Sequence, residues 1–538
     1  MTHVIDPKHA EVPLTLDEAP PKTLGILDQG AFWANLGVSL LGFSFALFLI
    51  NPLLDDNPLS MTAAVTATVV GSLIGTAMVG LAAIPGAQTG QPAMVLLRGL
   101  FGAKLSYVPT VLNIIQMLGW GAFELWVISM GAQAIFGDAV PYAVWVLLAG
   151  AITTGLTIYP LGAIRLIRRV VTIGVIISTI WFAVVFLRSA PAPAGGSWDA
   201  FAPAVDFVIA LSVSWVPVAA DYARHSRSSR AAFTGVVGGY TVAQVACLAI
   251  GVYAVAIAGH DAVLNDPTTV FGPFVAAPLG ALFFGILVLR ETDQSFANVY
   301  STAMSLQNLM PRVDRRIFSI AIGVLTIGVA LLVDVNSYSA FLSIIGAVFV
   351  PMLGVLVVDY FLLGRASTWD TSEHAPSRWP MVAPWALGFV TWWLLAAPST
   401  ISWWAAIWDG ARTALGFTRQ PWMSAAVGAF LVAGPGHPGH RPRTAKQALT
   451  LDPQQALKGG RPARIALAVA DPVAWHDHAH RVRVQRVAHR AQRLWPSDAR
   501  PEVGGGGAGA VRHGHGHLQQ RARERRGQLQ VDGGGEGA

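Results

Sequence analysis

Eleven apolar runs, each long enough to cross a bilayer as a helix, decide what this chain can become: 32–50, 61–84, 108–136, 140–161, 170–187, 202–220, 233–258, 275–304, 317–333, 338–363 and 380–397. A hydrocarbon core of about 30 Å takes about 20 mainly apolar residues in a helix, because no water is there to satisfy free backbone groups. A twelfth run begins near Pro421. Only 12% of the 538 residues are charged and mean hydropathy is +0.52. Soluble domains carry about a quarter charged residues, so the expected class is an all-α polytopic membrane protein.

Loop charge orients the spans. The connections after spans two, four, six, eight and ten hold Arg98 and Lys104; Arg165, Arg168 and Arg169; Arg224, Arg227 and Arg230; Arg312, Arg315 and Arg316; Arg365 and Arg378. The alternate loops carry Asp55, Asp56, Asp138, Asp261, Asp266 and Asp334, with Arg188 the main exception. The positive-inside rule then places the N-terminus in the cytoplasm and the protein, multi-pass, in the cell membrane. No charged-then-apolar leader precedes Phe32, so the spans themselves are expected to target the chain.

The net charge of +6 and pI near 9.6 belong largely to these loops and to a basic tail, which argues against nucleic acid as a partner. Cys247, the sole cysteine, lies in a span and allows no intramolecular disulfide or thiolate cluster. Residues 1–29 read as a cytoplasmic arm. Past Val432 the composition shifts to Arg, His, Gly, Pro and Gln, cutting the twelfth run short. The segment 435–538 reads as a low-complexity tail, disordered or translated out of frame, because the break falls inside a helix the architecture needs. Its "HGHGH" is too weak in that setting to define a metal site.

Ionised side chains in hydrocarbon are costly and therefore mark candidate sites. In "MLGWGAFELW", Trp120 and Glu124 stand four apart on one helix face, pairing an aromatic surface with a hydrogen-bonding carboxyl, as a planar ring with N–H groups requires. Spacing alone leaves open a packing Trp120 and a Glu124 that pairs with an arginine. In "LVLRETDQSFANVY", Glu291, Ser295 and Asn298 share a face, while Thr292 and Asp293 point elsewhere. Arg290 needs a carboxylate, which Glu291 or Glu124 can supply; a cluster that merely orders helices is the competing reading. Gly42 and Ser44 in "LLGFSFAL" and Pro217 in "ALSVSWVPVAADYAR" punctuate spans one and six at matching places in two halves, as in the broken helices of transporters.

The segments "FWANLGVSLLGFSFA", "GAQTGQPAMVLLRGLFGAKLSYVPTVLNIIQMLGWGAFE", "SWVPVAADYAR", "FANVYSTAMSLQN" and "GAVFVPMLGVLVVDYF" resemble the nucleobase:cation symporter-1 family of purine, cytosine, hydantoin and allantoin permeases. "SWVPVAADYAR" and "NIIQMLGW" are most similar to its cytosine and hydroxymethylpyrimidine branch. The resemblance implies a five-plus-five inverted repeat: residues 30–190 and 200–365, then about two extra helices in 379–434, the twelfth incomplete. Substrate is expected between spans one, three, six and eight. Trp120 matches the family's stacking tryptophan, and Glu124 falls where a glutamine or small residue is common. Asn298 matches a substrate-contacting position, and Ser214 and Trp215 lie in the segment that closes over the base. Phe45 joins the substrate-contact candidates. The family's sodium site, between spans one and eight, points to backbone near Gly42 and to Thr292 and Asp293, with Glu291 beside them. Here "ETD" replaces the family's hydroxyl and amide run, leaving sodium or a proton as coupling ion.

The expected activity is secondary active import of a small planar heterocycle by a monomer with no cofactor. An amino-acid permease of the same fold suits the Trp120–Glu124 pair less well. A multi-span membrane enzyme would need a metal or nucleophile constellation, and the membrane body offers no paired histidines, DxxD-type cluster or phosphate loop.

Overall fold

The computed structural model describes residues 20–44, 46–52, 58–158, 164–189, 196–332, 338–397, 399 and 401–434. Phe45, residues 1–19 and the tail with its out-of-frame reading lie outside the described residues. Among the described residues, six helices are both long and apolar enough to cross a membrane: Met61–Thr89, Tyr107–Phe136, Val171–Ser189, Phe201–Ala223, Ser229–Ala258 and Tyr338–Leu362. These are spans two, three, five, six, seven and ten.

The other spans depart from a plain apolar rod for local reasons. Span eight, Gly280–Leu309, is 30 residues long but carries the polar RETDQ stretch. It starts five residues later than its apolar run, after the short helix Gly272–Ala276, Pro278 and a left-handed Leu279 (φ 56°). Spans four, nine and eleven are shorter, at Tyr142–Ile158, Arg315–Ala330 and Val382–Leu395. Span twelve is Ala425–Ala433. A helix at Ser402–Ala414, absent from the hydropathy reading, precedes it. Span one begins at Ile26, inside the expected arm, and the preceding residues are docked: Leu24 N–H donates to the His225 carbonyl at 3.0 Å, and Lys22 Nζ to that of Ala87 at 2.8 Å.

Span one breaks at Val38 and Ser39, about one turn before the expected Gly42 and Ser44. Ser39 sets the break: its Oγ accepts the Leu41 N–H at 3.1 Å and donates to Glu291 Oε1 at 2.8 Å, competing with the helical pattern. Gly42 and Ser44 sit in the resumed helix Leu40–Ser44, where Ser44 bonds back to the Leu40 carbonyl. Span six breaks at Ser214 and Trp215, then continues through a 3-10 turn at Val216–Val218 holding Pro217. The two breaks stand in corresponding halves, as expected.

Packing repeats with the halves. Span seven lies on span one as span two lies on span six; span five meets span seven as span ten meets span two; three pairs with eight, and four with nine. Exchanging each span for its counterpart in the other half maps these contacts onto themselves, as a five-plus-five repeat requires. The two–six seam is built for close approach. A Cβ on Gly71 would stand 2.6 Å from Val208 Cβ, and one on Gly75 2.6 Å from Ser212 Cβ, so this small-xxx-small stripe admits only glycine. Asp206 of span six accepts hydrogen bonds from Ser424 Oγ and the N–H groups of Ala425 (2.6 Å) and Ala426 (3.1 Å), capping the last helix.

Candidate functional site

Helical spacing places Gln116, Trp120 and Glu124 on one face of span three, and Gln294 and Asn298 on one face of span eight. These two helices pack along each other, with the breaks of spans one and six closing the space between them. The result is an enclosed cleft whose wall includes Gly42 (span one), Trp120 and Glu124 (three), Ser214 and Trp215 (six), and Asn298 (eight). Five of the expected substrate residues therefore converge: Trp120, Glu124, Ser214, Trp215 and Asn298. The free volume is about 30 Å³, room for about one water, so a ring enters only when wall side chains move.

The broken backbone is partly satisfied from span three: Gln116 Nε2 donates to the Ser214 carbonyl at 3.0 Å and to Asn113 Oδ1 at 2.9 Å. Trp215 packs edge-on against Trp33 (6.1 Å, 86°), and Trp120 meets Tyr338 (5.8 Å, 80°) and Phe341 (5.6 Å, 71°) in the same manner. Three wall atoms are buried with no hydrogen-bond partner among the described residues: Glu124 Oε2, Trp120 Nε1 and Asn298 Nδ2. Other buried side chains of the chain carry such atoms too; these three are set apart by converging on one cleft, where a ligand can engage them.

Beside the cleft, span eight holds span one through its charges. Arg290, 1% exposed, donates from Nη1 to Gln294 Oε1 (2.9 Å) and to Glu291 Oε2 (3.3 Å), and from Nε to Asn35 Oδ1 (3.4 Å). Glu291 is thus the carboxylate that Arg290 needs. Asn35 Nδ2 donates to Asp293 Oδ2 at 2.8 Å. The Thr292 hydroxyl is turned back onto the Leu289 carbonyl at 2.7 Å. Neither Thr292, Asp293 nor Glu291 lines the cleft. The cation-coupling candidates therefore divide: Gly42 lines the cleft, Glu291 and Asp293 reach span one through Ser39 and Asn35, and Thr292 bonds within span eight. Gln116, Gln294, Ser39 and Asn35 were not singled out by sequence; the spacing of Gln116 from Trp120 was a usable signal, whereas the reach of Asn35 to span eight was not.

The sequence pattern of the family described as permease for cytosine/purines, uracil, thiamine, allantoin matches residues 56–375, more than half of the chain. The chain belongs to this nucleobase:cation symporter family. It is therefore a membrane-embedded secondary transporter and not an enzyme. Among curated proteins, no sequence matches the chain. Among solved structures, inward-facing Mhp1 is similar at TM-score 0.57 and 16% identity, over 80% of this chain and 93% of that one. Closed Mhp1 with bromovinylhydantoin bound, described as a nucleobase-cation-symport-1 family transporter, matches at 0.57 and 16%, over 80% and 94%. A Na+-coupled sialic acid symporter, outward-open with substrate, matches at 0.52 and 11%, over 79% and 93%. At these identities the likeness establishes the fold: two inverted five-helix repeats with about two helices added.

Proposed function

We propose that this family member imports a nucleobase-like planar heterocycle, namely cytosine, hydroxymethylpyrimidine or a purine, together with sodium or a proton. It works as a monomer in the cell membrane with its N-terminus in the cytoplasm. One observation supports this reading above the others: a tryptophan, a carboxyl and an amide with unengaged polar atoms converge between the two broken helices and spans three and eight. A ring slides against the indole while its edge groups meet Glu124 and Asn298. The seam bearing Glu291, Thr292 and Asp293 is where the driving cation acts, since it joins span eight to the break of span one. An aliphatic amino-acid zwitterion would leave the aromatic wall without a stacking partner.

Trp120→Ala removes a stacking face worth about 0.5 to 1.5 kcal/mol beyond its buried area. The affinity of the purified protein for its heterocycle should fall about tenfold, measured by equilibrium binding, with folding checked by thermal melting. Unchanged affinity would move the ring away from span three.

A further inference from the structure

The helix Ser402–Ala414 has 13 residues and is therefore about 20 Å long, too short to cross a hydrocarbon core of about 30 Å. It stands at one end of the membrane body. Span eleven stops before it at Leu395, and span twelve starts after it at Ala425, where Asp206 in the second turn of span six accepts the Ala425 N–H. Two arginines clamp this connection to span eleven: Arg412 Nη1 donates to the Trp393 carbonyl and Arg419 Nε to the Leu395 carbonyl, both at 2.9 Å. These are acceptors that the last turn of a helix leaves open.

Helical spacing divides the surface of Ser402–Ala414 into three sides about 120° apart. Trp404 and Trp408 turn to the protein and pack on Trp393, with ring centroids 5.2 and 6.2 Å away. Ser402, Asp409 and Thr413 make an exposed polar side. Trp403, Ile407 and Ala414 make a third side that is apolar and also exposed, Trp403 at 64% and Ile407 at 52%. A helix lying between a protein and water needs only an apolar and a polar side. The third side calls for a third medium, and span eleven, to which the helix is clamped, already meets that medium through its exposed Leu387 and Val390.

We infer that Ser402–Ala414 lies along the bilayer surface and docks on lipid, with Trp403 and Ile407 inserted among the headgroups and upper acyl chains, the polar side in water, and Trp404 and Trp408 on span eleven. An apolar and a polar flank on one helix is the pattern of interfacial helices. Tryptophan suits that depth, because its ring is apolar while its N–H needs a headgroup or water partner. The arginine clamp holds the helix at the level where span eleven ends.

The test is the depth of nitroxide labels on the full-length protein in phosphatidylcholine liposomes. Labels are placed singly at Trp403→Cys and Ile407→Cys, at Ser402→Cys and Thr413→Cys, and at Leu387→Cys as the reference within span eleven. The native Cys247 is buried, and protein without an added cysteine supplies its background. Relaxation by oxygen, which concentrates in lipid, is compared with relaxation by a water-soluble nickel chelate. The oxygen-to-nickel ratio at the first two sites should be several-fold higher than at Ser402→Cys and Thr413→Cys, and lower than at Leu387→Cys. Equal ratios at these four sites and strong nickel relaxation would put the helix in water and overturn the inference. Ratios at all four as high as the reference would sink it in hydrocarbon, which overturns it too. Shielding of the first two sites from both agents would show that protein, a second copy of this chain, covers them in place of lipid.

Discussion

Arg290→Met should lower the stability of the purified protein by about 3 to 5 kcal/mol, the cost of leaving a buried carboxylate without its counter-charge. The guanidinium is 1% exposed, as is the Glu291 side chain it pairs with, and its other bonds reach Gln294 and, across the helix interface, Asn35 of span one. Methionine fills comparable space but supplies no positive charge and no donor. The loss therefore leaves Glu291 without its counter-charge in apolar surroundings and removes one of the bonds between spans one and eight, those of Asn35 to Asp293 and Ser39 to Glu291 remaining. Adding Glu291→Gln to the methionine variant removes the stranded charge, so the double variant should recover a large part of the lost stability. Denaturant or thermal unfolding in detergent reads both effects. A single variant as stable as wild type, or a double variant worse than the single by the full cost of a second independent loss, would contradict this account of the cluster.

Asp359→Ala should cost about 3 kcal/mol, the lower end of the range for a broken buried pair, because its partners Arg365 and Arg378 remain 38% and 24% exposed. Asp359 sits at the end of span ten with a fully buried side chain. It accepts hydrogen bonds from Arg378 at 2.7 and 3.0 Å, from Arg365 at 3.2 Å and from Trp369 Nε1 at 2.6 Å. Arg378 in turn donates to the Gly99 carbonyl at 2.6 Å, and its backbone N–H to that of Phe101 at 2.7 Å. One carboxylate thus ties span ten, the loop after it and the helix Ala93–Phe101 into one unit. The measured consequence, beyond lower stability, is faster proteolysis within residues 364–379. An alanine variant with wild-type unfolding and an intact loop would show that the latch is dispensable.

Hydropathy and loop charge made the membrane body legible because spanning imposes length and composition on each helix separately. Span ten, expected at 338–363, forms at Tyr338–Leu362. The helix Ser402–Ala414 does not stand out as an apolar run because it is only 13 residues long and carries Asp409 and Arg412. Sequence alone points to Gly42 and not to Ser39 for the break in span one, because the Ser39 side chain is held by Glu291, some 250 positions away, a contact that exists only in the folded chain. The same distinction holds at the site. Trp120 with Glu124 could be read from helical spacing, and the family motifs located Ser214, Trp215 and Asn298. The partners of Arg290 and Asp293 on span one, Asn35 above all, exist only once two distant helices meet.

The central claim is secondary active import of a planar heterocycle, and concentrative uptake into proteoliposomes under separately imposed sodium and pH gradients tests it most directly. With a labelled panel of aminopyrimidines, purines, dioxo rings and amino acids, the account predicts accumulation of at least one heterocycle and of no amino acid. That accumulation should collapse when one of the two gradients is removed. A protein that accumulates amino acids alone, that moves no heterocycle, or that only equilibrates one regardless of either gradient would contradict it.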